Sequence, residues 1–84
     1  MTTSELITQY VQENAQRPGP AHARLVETGV EVWALIGYYQ NAAGCDPERV
    51  AIDYEIPRAA VEAALAYYRH HKQLIDAQIR QNAA

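Results

Sequence analysis

Three histidines, one cysteine and a run of carboxylates are the residues of this chain whose types could do chemistry. His22, His70 and His71 could ligate a metal or pass a proton, but His70 and His71 are adjacent and point to different sides of any helix that carries them. No cysteine or carboxylate stands at helical ligand spacing beside them, so solvated or capping histidines are expected, with no metal and no cofactor. Cys45, between Gly44 and Asp46, has neither a histidine close in sequence nor a resolving cysteine, and reads as a structural thiol. Glu48, Asp53 and Glu55 could supply an acidic nuclease centre. Without a glycine-rich phosphate loop or a nucleophile motif, however, they read as a solvated face. The chemistry expected of this chain is binding, not catalysis.

Aromatic pairs at Tyr38-Tyr39 and Tyr67-Tyr68 could stack on bases of a single strand. Each pair sits inside a helical apolar pattern, so one ring of each is expected in the core and the other at its edge, with Trp33 also in the core. The formal net charge of -3 argues against the broad positive field of most nucleic-acid binders. Only the C-terminal third, with Arg58, Arg69, Lys72 and Arg80, is basic.

A chain of 84 residues supports one core, and 49% hydrophobic with 20% charged residues is ordinary globular usage. No apolar run approaches the roughly 18 residues of a membrane span, and Met1 to Gln9 lack the basic-then-apolar order of a secretion signal. With one cysteine as well, a cytoplasmic protein is expected.

The elements follow from caps and breakers. Thr2 and Glu5 form a capping box ahead of Leu6, Ile7, Tyr10 and Val11, which predicts a helical arm over residues 1–16. Pro18, Gly19 and Pro20 make residues 17–22 a linker. Residues 23–84 then form the main domain. Within it, Glu27-Thr28-Gly29 allow at most a tiny β-ribbon, and a helix starts near Val32 and ends before Gly44. Asp46-Pro47 caps a short helix that Pro57 ends near Tyr54. The last helix is expected to run unbroken from Pro57 to about Gln81, roughly 36 Å.

Over Pro47 to Ala66, Val50, Ala51, Tyr54, Ile56, Val61 and Ala64 stand where two helices crossing at a steep angle need buried contacts. The fold class predicted is therefore all-α, a small homeodomain-like helix-turn-helix bundle with an N-terminal helical arm and a long C-terminal helix. Glu55 occupies a turn position where glycine is usual. The face offered to a groove is Pro57, Arg58, Ala59, Glu62 and Ala63, with Arg49 on the preceding helix. Of these, Arg58 alone can donate a bidentate pair to guanine, and Glu62 repels phosphate.

The stretch from Arg17 to Asn82, with the runs RPGPAHARL, GVEVWALIGYYQ and DPERVAIDYEIPRAAVEAALAYYRHHKQLIDAQI, resembles the DUF433 domain family. That resemblance implies a helix-turn-helix antitoxin of a toxin-antitoxin pair, which would bind and restrain a PIN-like nuclease toxin and contact promoter DNA weakly as a dimer or complex. The alternative is a homo-oligomeric interaction domain whose helix-turn-helix no longer binds DNA.

Two stripes remain for partners. Val61, Leu65, Tyr68, Lys72, Ile75 and Ile79 alternate spacings of four and three, and on a straight helix Ile75 and Ile79 would protrude and pair in a homodimer. Leu6, Ile7, Tyr10 and Val11 on the tethered arm are the expected toxin contact.

Overall fold

The computed structural model describes residues 2–83, so Met1 and Ala84, the ends of the two segments expected above, lie outside it. The architecture is helical: α1 (Thr3–Tyr10), α2 (Val32–Asn41), α3 (Pro47–Tyr54), α4 (Arg58–His70) and α5 (Lys72–Ala83). The rest of the regular structure is a two-stranded antiparallel sheet, β1 (Val11–Gln12) with β2 (Arg24–Leu25), and a 3-10 turn at Pro20–His22. Leu35, Ile36, Val50, Val61, Ala63, Ala64 and Ile75 are completely buried and form the centre of the core.

The capping box forms as its residues require. Thr2 Oγ1 accepts from the Glu5 N–H at 3.2 Å and the Glu5 carboxylate accepts from the Thr2 N–H at 3.4 Å. The helix is shorter than the expected arm, because Val11 is extended (φ -119°, ψ 136°) and pairs with Leu25 while Gln12 pairs with Arg24. Nor does α1 stand apart. It packs on α4, with Leu6, Ile7 and Tyr10 half-buried against the core and Val11 inside it.

The segment after β1 is no flexible tether. Asn14 is 6% exposed, donates to Glu31 at 3.3 Å and accepts from the Gln16 N–H at 3.0 Å. The other Glu31 oxygen accepts from the Trp33 indole. Pro20–His22 then packs on α2 and α5. The expected ribbon turn is present: Gly29 takes the left-handed backbone (φ 73°) that Glu27-Thr28-Gly29 needs, and Arg24 bridges Glu31.

The expected single helix from Pro57 is two helices. His71 (φ -131°, ψ 36°) closes α4, its N–H bonding the carbonyls of Tyr67 and Tyr68 at 3.1 Å each, and α5 turns back onto α2. Ile75 is fully buried and Ile79 lies against Gly37. The protruding apolar stripe expected of a straight helix is instead part of the molecule's own core. Tertiary docking on α2, where Ile79 lies beside Gly37, overrides the local helical preference at His71.

Candidate partner and nucleic-acid interface

The helix-turn-helix is built from α3 and α4. The Asp46 side chain accepts from the Glu48 N–H at 3.0 Å and Pro47 opens α3, a donor-free residue where a helix needs no donor. The turn closes with Glu55 in the left-handed region (φ 55°, ψ 47°), its N–H bonding the Ile52 carbonyl at 3.2 Å, and Ile56 N–H returning to Ala51 at 3.0 Å. Glu55 thus adopts the conformation in which such turns usually place glycine, at a steric cost on the order of 1–2 kcal/mol for a side chain bearing a Cβ. Ile56 is buried beneath the turn, Val50, Val61 and Ala64 are fully buried, and Ala51 and Tyr54 are half-buried, as the helix crossing demands. Pro57 is the N-cap of α4 rather than its first residue and makes no side-chain capping bond.

The face that remains is smaller than the sequence implied. Pro57 and Arg58 are exposed and Ala59 and Glu62 half-exposed, but Ala63 is fully buried in the core and offers nothing to a groove. Arg58 Nε donates to Glu62 at 3.0 Å, so its guanidinium is already engaged. Arg49 Nε donates to Asp53 at 2.9 Å, and the same carboxylate accepts from the Tyr38 hydroxyl. These two donors hold the Asp53 carboxyl below its ordinary range, and the carboxylate in turn raises the Tyr38 hydroxyl. From Asp46 to Glu62 five acids (Asp46, Glu48, Asp53, Glu55, Glu62) face two arginines, both paired. A polyanion docking here would approach net negative charge.

The other basic residues do not enlarge this face. Arg58 and Arg69 lie eleven residues apart along α4, roughly 16 Å of axial rise. Lys72 and Arg80 are carried by α5, beyond the bend at His71. Lys72 donates to Asp76 at 3.0 Å, and Tyr68 donates to the other oxygen of that carboxylate at 2.7 Å while accepting from Gln40 at 3.2 Å. Tyr68 and Lys72 hold Asp76 below the ordinary carboxylate range.

The stripes assigned to partners are used within the chain. Leu6, Ile7, Tyr10 and Val11 face α4 and the core, and Ile75 and Ile79 face α2, so neither stripe is a free anchor. Among the described residues the exposed large apolar side chains are Val26, Ile52 and Leu74, at 44%, 67% and 50%. No sequence signal singled these out, because Ile52 and Leu74 sit within helices whose apolar pattern alone does not say which residue is turned outward.

The tyrosines belong to the packing. Tyr38 meets Tyr54 edge-on at 5.3 Å, Tyr67 lies tilted against His71 at 4.6 Å, and burial raises the pKa of the Tyr54 and Tyr67 hydroxyls. Cys45 is exposed, with a left-handed backbone (φ 59°). Among the described residues no three His, Cys, Asp or Glu side chains converge to hold a metal, and no helix is long and apolar enough to cross a membrane. A crevice of about 10 Å³ between Tyr10, Leu25, Val26, Ile56, Pro57 and Ala60 is room for roughly one water.

The family model described as Protein of unknown function (DUF433) matches residues 21–68, more than half of the chain. The match runs from the 3-10 turn through the ribbon turn, α2 and α3 to Tyr68 near the end of α4, and leaves out α1, β1 and α5. No curated protein and no solved structure matches the chain.

Proposed function

The chain belongs to the DUF433 family, and we propose that it is a non-catalytic helix-turn-helix module of the antitoxin type, which binds and restrains a PIN-like nuclease and contacts promoter DNA weakly. The observation that carries this reading is the corner α3-Glu55-Ile56-Pro57-α4, which holds two helices at a fixed crossing and leaves Pro57 and Arg58 outermost. Such a frame positions the first turn of its second helix for contact with a groove or a protein surface.

The charge on that corner ranks the two contacts. Arg58 shares its Nε–H with Glu62 and the surrounding acids oppose a polyanion, so protein contact comes first and DNA contact depends on the assembled complex. With α1 and α5 packed inside, Val26, Ile52 and Leu74 are the exposed large apolar side chains that the described residues offer a protein partner. The same neutralised arginines favour a second reading, an interaction domain whose helix-turn-helix no longer binds DNA.

Coexpression with the product of the adjacent gene tests the first reading. A stable complex in which a PIN-like nuclease loses activity supports it. A neighbour that is no nuclease, or a nuclease that is neither bound nor inhibited, overturns it. Titration of the complex with the duplex upstream of its own gene separates the two readings, since the second gives no binding at any salt concentration.

A further inference from the structure

One residue separates α4 from α5. His71 alone is non-helical between Arg58 and Ala83, and no glycine or proline lies in that span. Moving His71 to about φ -63°, ψ -42° would make the two helices one. A continuous helix pairs the N–H groups of Lys72, Gln73 and Leu74 with the carbonyls of Tyr68, Arg69 and His70, of which the Tyr68 carbonyl at present accepts only from the His71 N–H. Two side-chain contacts at the corner, Tyr67 with His71 and Lys72 with Asp76, are four residues apart, the spacing that a straight helix keeps adjacent.

What holds the bend is the docking of α5 elsewhere. The helix packs mainly on α2 and on Pro20–His22 and meets α4 chiefly near the corner. Ile75 is fully buried and Ile79 abuts Gly37. Tyr68 reaches Asp76 across eight residues, about 12 Å along a straight helix and against the N-terminal lean of helical side chains. That bond therefore needs an α5 folded back on this face, whichever copy of the chain supplies it.

We propose that the chain forms an exchanged dimer, in which α4 and α5 straighten into one helix and each α5 docks on the α2 of a second copy. The occupant is specified because the α2 surface is already complementary to α5, and the second copy brings the same Ile75, Ile79 and Asp76 to the same Gly37 and Tyr68. Reciprocal exchange closes as a two-fold pair, so every contact of the monomer is kept and the helix is gained. The Ile75 and Ile79 stripe then serves self-association after all, by exchange of α5 between copies.

The test uses the full chain with His71→Ala and His71→Gly, two variants that both lose the ring contact with Tyr67 and differ only in how well they continue a helix. Alanine exceeds glycine roughly five-fold at one interior helix position, and a dimer has two hinges. The dimerisation constant from light scattering should therefore be about thirty-fold larger for His71→Ala than for His71→Gly. In the same chain carrying Cys45→Ser, Gly37→Cys and Ile79→Cys, oxidation of the isolated dimer should give a covalent dimer on a non-reducing gel. Should that cysteine pair disturb folding, magnetic resonance on mixed labelled and unlabelled dimers must show the Gly37 to Ile79 contact between copies. A monomer at all concentrations, equal association of the two variants, or a dimer whose Gly37 and Ile79 contact lies within one chain overturns the proposal.

Discussion

Val11 pairs with Leu25 across the two-stranded sheet, and through this pair the N-terminal segment is stitched to the segment that opens the helix-turn-helix body. Val11 is 8% exposed and Leu25 2%. Deleting residues 1–16 should therefore destabilise the whole domain. Leu25→Ala alone should lower the unfolding free energy by about 2–5 kcal/mol in urea titrations. A truncated chain with unchanged stability would show that α1 is dispensable.

Neighbouring positions on α5 should differ sharply. Ile75 is fully buried and Leu74 half-exposed. Ile75→Ala should cost about 2–5 kcal/mol and Leu74→Ala within about 0.5 kcal/mol, read from the midpoints of chemical denaturation.

At the turn, Glu55 sits at φ 55° and ψ 47°. Glu55→Gly relieves the left-handed strain but gives the unfolded chain more freedom, so the net gain should be at most about 1 kcal/mol. A rise in melting temperature with an unchanged circular-dichroism spectrum is the expected result.

DNA contact, where it occurs, should respond to the Arg58–Glu62 pair. Arg58→Ala should remove most of the affinity, whereas Glu62→Gln frees the guanidinium and removes a repulsive charge, so it should strengthen binding. Isolated protein should bind duplex only in the micromolar range or weaker and lose binding as salt rises, measured by fluorescence anisotropy.

Acid should weaken the fold through Asp53 and Asp76. Both carboxyls are held below their ordinary value, Asp53 by Tyr38 and Arg49 and Asp76 by Tyr68 and Lys72. The folded state binds these protons less readily than the unfolded state, where an aspartate titrates near 3.9. Their stabilisation is thus present above about pH 4 and is lost as pH falls through the lower folded values. Asp76→Asn should flatten the stability profile below about pH 4, and added salt should reduce the Lys72 and Arg49 contributions.

The helix-turn-helix was legible because its punctuation is local. Asp46-Pro47 starts one helix, Pro57 starts the next, and Val50, Ile56, Val61 and Ala64 fall at spacings that only a crossing explains. The end of α1 was not legible: Val11 leaves the helix to pair with Leu25, fourteen residues away, and nothing between Tyr10 and Gln16 breaks a helix locally. The corner at His71 was hidden for the same reason, since its cause is the packing of α5 on another helix, α2. Both expected partner surfaces rested on those two boundaries and turned inward with them. The arginines were found by residue type, but their carboxylate partners four residues on were legible only as helical spacing, and Tyr38 joining Asp53 from α2 was not legible at all.

The packing of α1 on α4 also sets an order of events during synthesis. Residues Thr3–Tyr10 are translated well before the surface they rest on, which is not made until residues 58–70 have followed. That segment must therefore wait, its Leu6 and Ile7 open to chaperones, while the ribbon turn, α2 and α3 assemble from contacts closer in sequence. The earlier helix finds its place only after the later one is made.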